Sequence, residues 1–411
     1  MQIGVLSRFC SRVRLTVVVP FLIAIGAGLV VPQEARAEAG ASVSQEEANR
    51  QVLRRIDELE AELKALKGQV ARAATASAEA PVTYPTLRIG GFSDVTFSGS
   101  RRGSTSGASL GQYALQLNSS LSPRWNFFGE FTAGARADAG TGAPPATGFN
   151  AEIERAILRF DQSDAFKLSF GRYHTPINWW NNAFHHGLWL QSTVGRPEMT
   201  QFGGRFIPVH FIGTLAEGEF PAKGLNLNYG IGLGNGRGAV TSRGGDAGDI
   251  NNSKAYLVNL FVKPDKLYGL RLGGSYYRDR INMATGRRFD ETIVAGHLLW
   301  DRETPELIAE YARAHHKELI GGNFAGEAYY VQLAYRLPGN QRKFKPYVRF
   351  ENMRLSTADP VYTGTPGTKG VVSGIRYDLS ELVALKAEYR NLQRVGAAPF
   401  NGVALQLSFS H

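Results

Sequence analysis

The sequence predicts an all-β chain, a transmembrane antiparallel β-barrel of about 16 strands behind a short N-terminal α-helical coiled coil. Three observations carry this. From Thr83 onward, apolar and polar residues alternate over runs of about ten positions that break at Gly, Pro, Asn or Asp. Period two over ten residues exceeds the usual soluble strand and suits a strand crossing a bilayer at a tilt. The connections between these runs are short and long by turns. The composition agrees: 47 Gly, 23 Phe, 16 Tyr and 5 Trp at a mean hydropathy of −0.20. An aromatic content of 11% excludes a disordered chain. Only one apolar run approaches the roughly 20 residues of a spanning helix, and it is N-terminal.

That run, Leu15 to Val31, follows Arg8, Arg12 and Arg14 and precedes Ala35-Arg36-Ala37. A positive n-region, an apolar h-region and an A-x-A site predict a secretory signal peptide over 1–37. Cys10, the one cysteine, leaves with it, so the exported chain carries no disulfide and no thiol chemistry. The formal charge of +10 falls to +7 once four arginines and one glutamate are removed with residues 1–37.

Residues 38–70 read as a periplasmic coiled coil. Val52, Ile56, Leu59, Leu63, Leu66 and Val70 recur at heptad a and d spacing, with Asn49 on the preceding a position. Three and a half heptads are marginal as a lone helix. Self-association is therefore favoured over an amphipathic helix lying on its own domain. Residues 71–82, alanine-rich and ending at Ala80-Pro81, read as a linker, and 83–411 as the barrel.

Candidate strands lie near 86–99, 110–121, 124–136, 151–161, 166–173, 207–217, 224–235 and 253–263. Eight more lie near 269–279, 289–301, 306–315, 325–337, 343–356, 368–378, 382–393 and 400–409. Even-numbered connections such as Ser122-Pro123 and Ser380-Glu381 are short, whereas 136–150, 174–206, 236–252 and 357–367 are long. Short turns on one side and long loops on the other are the pattern of an outer-membrane barrel. A soluble sandwich has no reason to sort its loops this way.

Signal peptide, coiled coil and sixteen strands together resemble the trimeric porins of Gram-negative outer membranes, more nearly the phosphate-selective porin O/P type. At sequence level the likeness rests on Phe170-Gly171-Arg172-Tyr173-His174-Thr175-Pro176, similar to the stretch that leads into the third loop of such porins. The C-terminus departs from the pattern, with Ser410-His411 after Phe409. The resemblance implies a homotrimer in the outer membrane, contacting lipid and lipopolysaccharide, whose third loop narrows the lumen.

The third loop here carries Trp179, Trp180, His185, His186, Trp189, Arg196, Glu198 and Arg205. So many aromatics are costly to expose to water, which favours an inward-folded loop. There Arg196 and Arg205 against Glu198 would set a transverse field. The other reading gives the tryptophans to the interfacial girdle and the arginines to lipopolysaccharide. On the strands, alternation places Arg155, Arg159, Lys167, Arg271, Arg336, Arg349, Arg376, Lys386 and Arg390 on the inner face, with Glu130, Glu310, Glu351 and Glu388. Charges facing lipid would cost several kcal/mol, so these face water or protein. An inward ring of this sign attracts anions. Cross-strand pairing with glutamates is the competing reading.

His185-His186 and His315-His316 have no carboxylate or cysteine at metal-motif spacing, so neither metal nor cofactor is expected. No nucleophile elbow, phosphate-binding loop or zincin motif occurs, and no catalytic residue is expected. The leading reading is thus a water-filled channel passing small hydrophilic solutes, preferentially anions. A barrel enzyme of lipase or protease type, and a structural or adhesive barrel, are the alternatives. From residue 81 onward basic residues exceed acidic ones by nine. An excess confined to the barrel speaks of permeating ions and not of a nucleic-acid partner.

Overall fold

The computed structural model describes residues 45–79, 83–100, 107–135, 149–201, 206–239 and 251–411. The expected signal peptide with Cys10, and Arg205, lie outside them. The chain divides into a unit up to Pro81 and a unit from Val82.

In the first unit, helix α1 (Gln45–Glu79) is a single element. It runs nine residues into the stretch read as a linker, because Ala71, Ala73, Ala74, Ala76 and Ala78 are strong helix formers. Val52, Ile56, Leu59, Leu63 and Leu66 stand 45–58% exposed, an uncovered apolar row along the helix. The side chain of Val70 lies outside the described residues.

In the second unit, sixteen antiparallel strands close on themselves, each paired with its sequence neighbours and β1 with β16. They are β1 (Arg88–Ser100), β2 (Gly107–Ser120), β3 (Trp125–Ala135), β4 (Phe149–Ser163), β5 (Phe166–His174), β6 (His210–Phe220), β7 (Leu227–Asn235) and β8 (Ala255–Val262). The second half is β9 (Leu270–Asn282), β10 (Arg288–Asp301), β11 (Glu306–Glu318), β12 (Asn323–Ala334), β13 (Phe344–Arg354), β14 (Thr368–Asp378), β15 (Val383–Arg394) and β16 (Phe400–Ser410). The sequence-read segments coincide with these, one for one. Period two is imposed by geometry, since successive side chains of a strand must face opposite sides of the wall.

Outward-facing Leu260, Leu272, Val294, Val331, Leu333, Val371, Leu385, Val403 and Leu405 are all exposed, while the positions beside them on the strands are buried or half-buried. A closed apolar belt of this extent suits lipid and not water. No helix among the described residues is long and apolar enough to cross a membrane. Strands are the alternative way to satisfy every backbone group in hydrocarbon.

The seam between β1 and β16 is held by the last residue. His411 N–H donates to the Gly91 carbonyl at 3.1 Å, and Gly91 N–H to the His411 carbonyl at 2.8 Å. The His411 ring stacks on Tyr113, centroids 5.4 Å apart. A Cβ at Gly91 would meet the Ala114 carbonyl oxygen at 2.2 Å, so only glycine fits there. His411 thus places an aromatic ring beside the seam.

The open row on α1 generates an expectation for the intact protein. Leu59→Asp with Leu63→Asp puts two charges on the row, and the oligomer should fall apart at lower temperature on native gels. The strand signal in circular dichroism should be unchanged. An unaltered oligomer would mean the row is not a self-association surface.

Candidate functional site, a loop anchored across the barrel interior

Between β5 and β6 the chain leaves the wall at Thr175 and returns at Val209. Gly171 prepares this exit: its φ is +134°, and a Cβ would lie 1.9 Å from the Ala156 carbonyl oxygen. The glycine of the Phe170-to-Pro176 stretch is thus required by backbone conformation and space together. Asn181 closes the mouth of the loop, its Nδ2 donating to the carbonyls of Thr175 at 3.0 Å and Val209 at 2.9 Å.

Inside the barrel this irregular backbone needs partners for its N–H and C=O groups. The opposite wall supplies them with charged side chains. Glu310 on β11 accepts from the N–H groups of Trp179 and Trp180 at 2.9 and 2.7 Å. Helix α2 (Trp180–Phe184) starts on this carboxylate, which complements its positive end. Glu388 on β15 accepts from Val194 N–H at 2.9 Å and Gly195 N–H at 3.2 Å. Glu351 on β13 accepts from Glu198 N–H at 2.7 Å. The cations take the carbonyls. Arg349 donates to Gly195 and Arg196 at 2.9 and 3.1 Å. Lys386 donates to Thr193 at 3.1 Å and to Leu188. Arg376 donates to Gln191 at 3.1 Å and to Trp189.

The nine inner-face cations therefore divide, and only some of them form the inward ring expected from the sequence. Arg349 and Lys386, 1% and 2% exposed, are consumed as loop anchors together with Arg376. Arg390 pairs with Glu388 at 2.6 Å and its guanidinium packs on Gly195. Arg336 pairs with Glu303 and Asp378, at 2.7 and 2.5 Å, beside the short turns. Arg155, Arg159, Lys167 and Arg271 remain on the other side. Arg155 pairs with Glu130, and Arg159 with Asp161, each at 2.7 Å. Cross-strand pairing thus accounts for some of the set and loop anchoring for another part.

Arg196 requires a second correction. It is buried, its Nη2 donating to the His185 carbonyl at 2.7 Å and its ring-side face lying over Trp180. Burial lowers its guanidinium to about 9, so it stays cationic at neutral pH, but it faces the loop's own carbonyls and sets no field in water. Glu198 is half-buried, and burial with the nearby Glu351 raises its carboxyl above the usual range.

Two cavities open inside the barrel, the second of them against the loop. One of about 780 Å³ is lined by Arg88, Arg155, Arg159, Glu217, Ser169 and His174. Another of about 260 Å³ is lined by Trp179, Asn178, Arg271, His297, Asn259 and Glu217. At the far end of the loop, Phe206 is clamped by Arg237 and Tyr362, which donate to its carbonyl at 2.6 and 3.1 Å. Arg237 in turn bonds Glu291, which His316 joins to Asp359.

Sequence reading missed one cluster. His185 and His186 converge with His174 of β5 and His210 of β6 on Glu154 of β4. Motif spacing had no access to it, because the partners come from three strands and a loop. The signals were the His185-His186 pair and His174 inside the quoted stretch, none of them near Glu154 or His210 in motif spacing.

No family model matches the chain, and no curated protein matches it. Solved structures match its fold. An anion-selective porin from Comamonas acidovorans has a TM-score of 0.58 at 12% identity, covering 80% of this chain and 100% of its own. The trimer form of OmpT, an outer membrane protein of Vibrio cholerae, has a TM-score of 0.54 at 12% identity, with coverage of 80% and 100%. The outer membrane channel DcaP of Acinetobacter baumannii has 0.54 at 10%, with coverage of 80% and 97%. At such identities the likeness establishes the sixteen-stranded barrel alone.

The anchoring pattern makes a prediction. Arg349→Met leaves two loop carbonyls and Glu351 without their cation, and breaking a buried charged pair costs about 3–5 kcal/mol. The loop should become cleavable by protease within 175–209 while the barrel stays heat-resistant on gels. An equally resistant loop would show that the wall does not hold it.

Proposed function

We propose that this chain is an outer-membrane porin, a passive channel for small hydrophilic solutes with a preference for anions. The apolar belt supports a membrane setting, and the arginine-rich N-terminus with its A-x-A site supports export. The crossing loop supports a constriction that limits solute size. Anion preference is carried by Arg88, Arg155 and Arg159, which line the cavity of about 780 Å³, opposed there by Glu217. A low-dielectric wall strengthens the field of such an excess, and anions enter a basic vestibule more readily than cations. Phosphate and small acidic solutes fit this chemistry.

The assembly proposed is a homotrimer in lipid and lipopolysaccharide of a Gram-negative outer membrane. The trimer form of the Vibrio structure supports it, as does the uncovered row of α1, which the proposal places in the periplasm as a coiled coil. Nothing in the channel turns over, so no catalytic group is assigned. The selectivity of the Comamonas porin supports the anion reading for a barrel of this fold.

Planar bilayers test both parts. Purified protein should give large ohmic steps, and a KCl gradient should give a reversal potential of anionic sign. Arg155→Glu with Arg159→Glu changes the wall charge by four and should move that potential toward cations. A silent bilayer would overturn the channel, and an unmoved potential would overturn the assignment of selectivity to this wall.

A further inference from the structure

Four imidazoles point at one carboxylate oxygen. His174, His185 and His186 place Nε2 at 3.4, 3.3 and 2.7 Å from Glu154 Oε1, and His210 Nε2 is in contact with the same atom. A carboxylate oxygen has about two lone pairs, so it can accept from about half of these rings. Glu154, His174 and His185 are each about 1–4% exposed, where such crowding has no water to relieve it. Hydrogen bonding to one oxygen therefore does not account for the convergence.

A shared metal ion does. The donor atoms of Glu154, His174, His185 and His210 all lie within 4.8 Å of one another. Zinc bonds of about 2.0–2.1 Å in a tetrahedron imply ligand-to-ligand edges of about 3.3 Å. The distances from Glu154 to His174 and His185 match that edge. We propose that Glu154, His174, His185 and His210 form a binding site for a divalent transition-metal ion of the zinc type. Three imidazoles and one carboxylate suit zinc, copper or nickel better than calcium or magnesium, which prefer oxygen. His186 stays outside the four, at hydrogen-bond distance from the carboxylate it orients.

The surroundings impose a condition on the ion. Arg172 donates to His210 Nδ1 at 3.0 Å, and Arg196 lies 3.3 Å from His185 Nδ1. Arginine cannot accept, so in the empty site these rings carry their proton on Nε2, toward Glu154. A metal that takes Nε2 sends each ring's proton to Nδ1, which opens the two guanidinium contacts, and it also works against their charge. This selects ions that bind imidazole strongly over weakly held ones. The route in is the large cavity, which His174 lines.

The site joins β4, β5 and β6 to the loop through His185, so the metal would fasten the loop near its start. The inference goes beyond the channel reading and does not depend on it. It is tested on the full, tag-free chain in detergent, stripped with chelator and then dialysed against Zn²⁺. Metal analysis should find about one zinc per chain, and Co²⁺ in its place should give the strong visible absorption of a tetrahedral site. His185→Ala and His174→Gln, made separately, should lower zinc affinity by about 100-fold or more, since even outer partners cost 10–100-fold. His315→Ala, on the other histidine pair, should bind as the unaltered chain does. No zinc on the unaltered chain, or equal binding by His185→Ala and His174→Gln, overturns the site. If one variant fails to fold, the other and the Co²⁺ spectrum of the unaltered chain decide.

Discussion

An irregular stretch of backbone inside a barrel has no ladder to pair with, and its N–H and C=O groups still require partners. Most of the interior of this protein is arranged around that requirement. Glutamates on β11, β13 and β15 take the N–H groups of the 175–209 loop, and Arg349, Arg376 and Lys386 take its carbonyls. Charged side chains suit the task because hydrogen bonds to ionised groups are about twice as strong as neutral ones. They also reach across several ångströms of lumen, which the wall's own backbone cannot.

Using charge this way has a consequence for the electrostatics. A cation that is buried against carbonyls and carboxylates adds little to the field in the water beside it. The effective charge of the interior is what remains after anchoring, which includes Arg88, Arg155 and Arg159 at one cavity, Arg271 at the other and Lys167 on β5. Even these are partly balanced, as the Arg155–Glu130 and Arg159–Asp161 pairs show. The basic excess counted along the barrel therefore overstates the charge that faces water.

The strands were legible because lipid and pleat act on every second residue, so the pattern is local and repeats sixteen times. Which inner-face residues carry charge was legible for the same reason. Their duties were not, because Arg349 and Gly195 are far apart in sequence and meet only through the loop's path. Arg196 looked like a pore residue for its charge, yet its guanidinium turns back to the His185 carbonyl. The His185-His186 pair lacked a carboxylate at motif spacing, and Glu154 sits on β4, with β5 and α2 between. At the helix, the alanine-rich stretch 71–82 with its Ser and Thr reads as a linker, whereas alanine propensity carries α1 on to Glu79.

The sequence by itself determined the closed all-β wall, its outward apolar belt, the sorting of short turns from long loops, and the heptad row before the barrel. Each follows from periodicity, which needs only near neighbours along the chain. Tertiary structure alone decided where the long loop runs, which charges it occupies, and which of Glu154, His174, His185, His186 and His210 come together. Those are contacts between distant segments, set by how a closed wall limits the path of a chain inside it, and no spacing along the sequence encodes them.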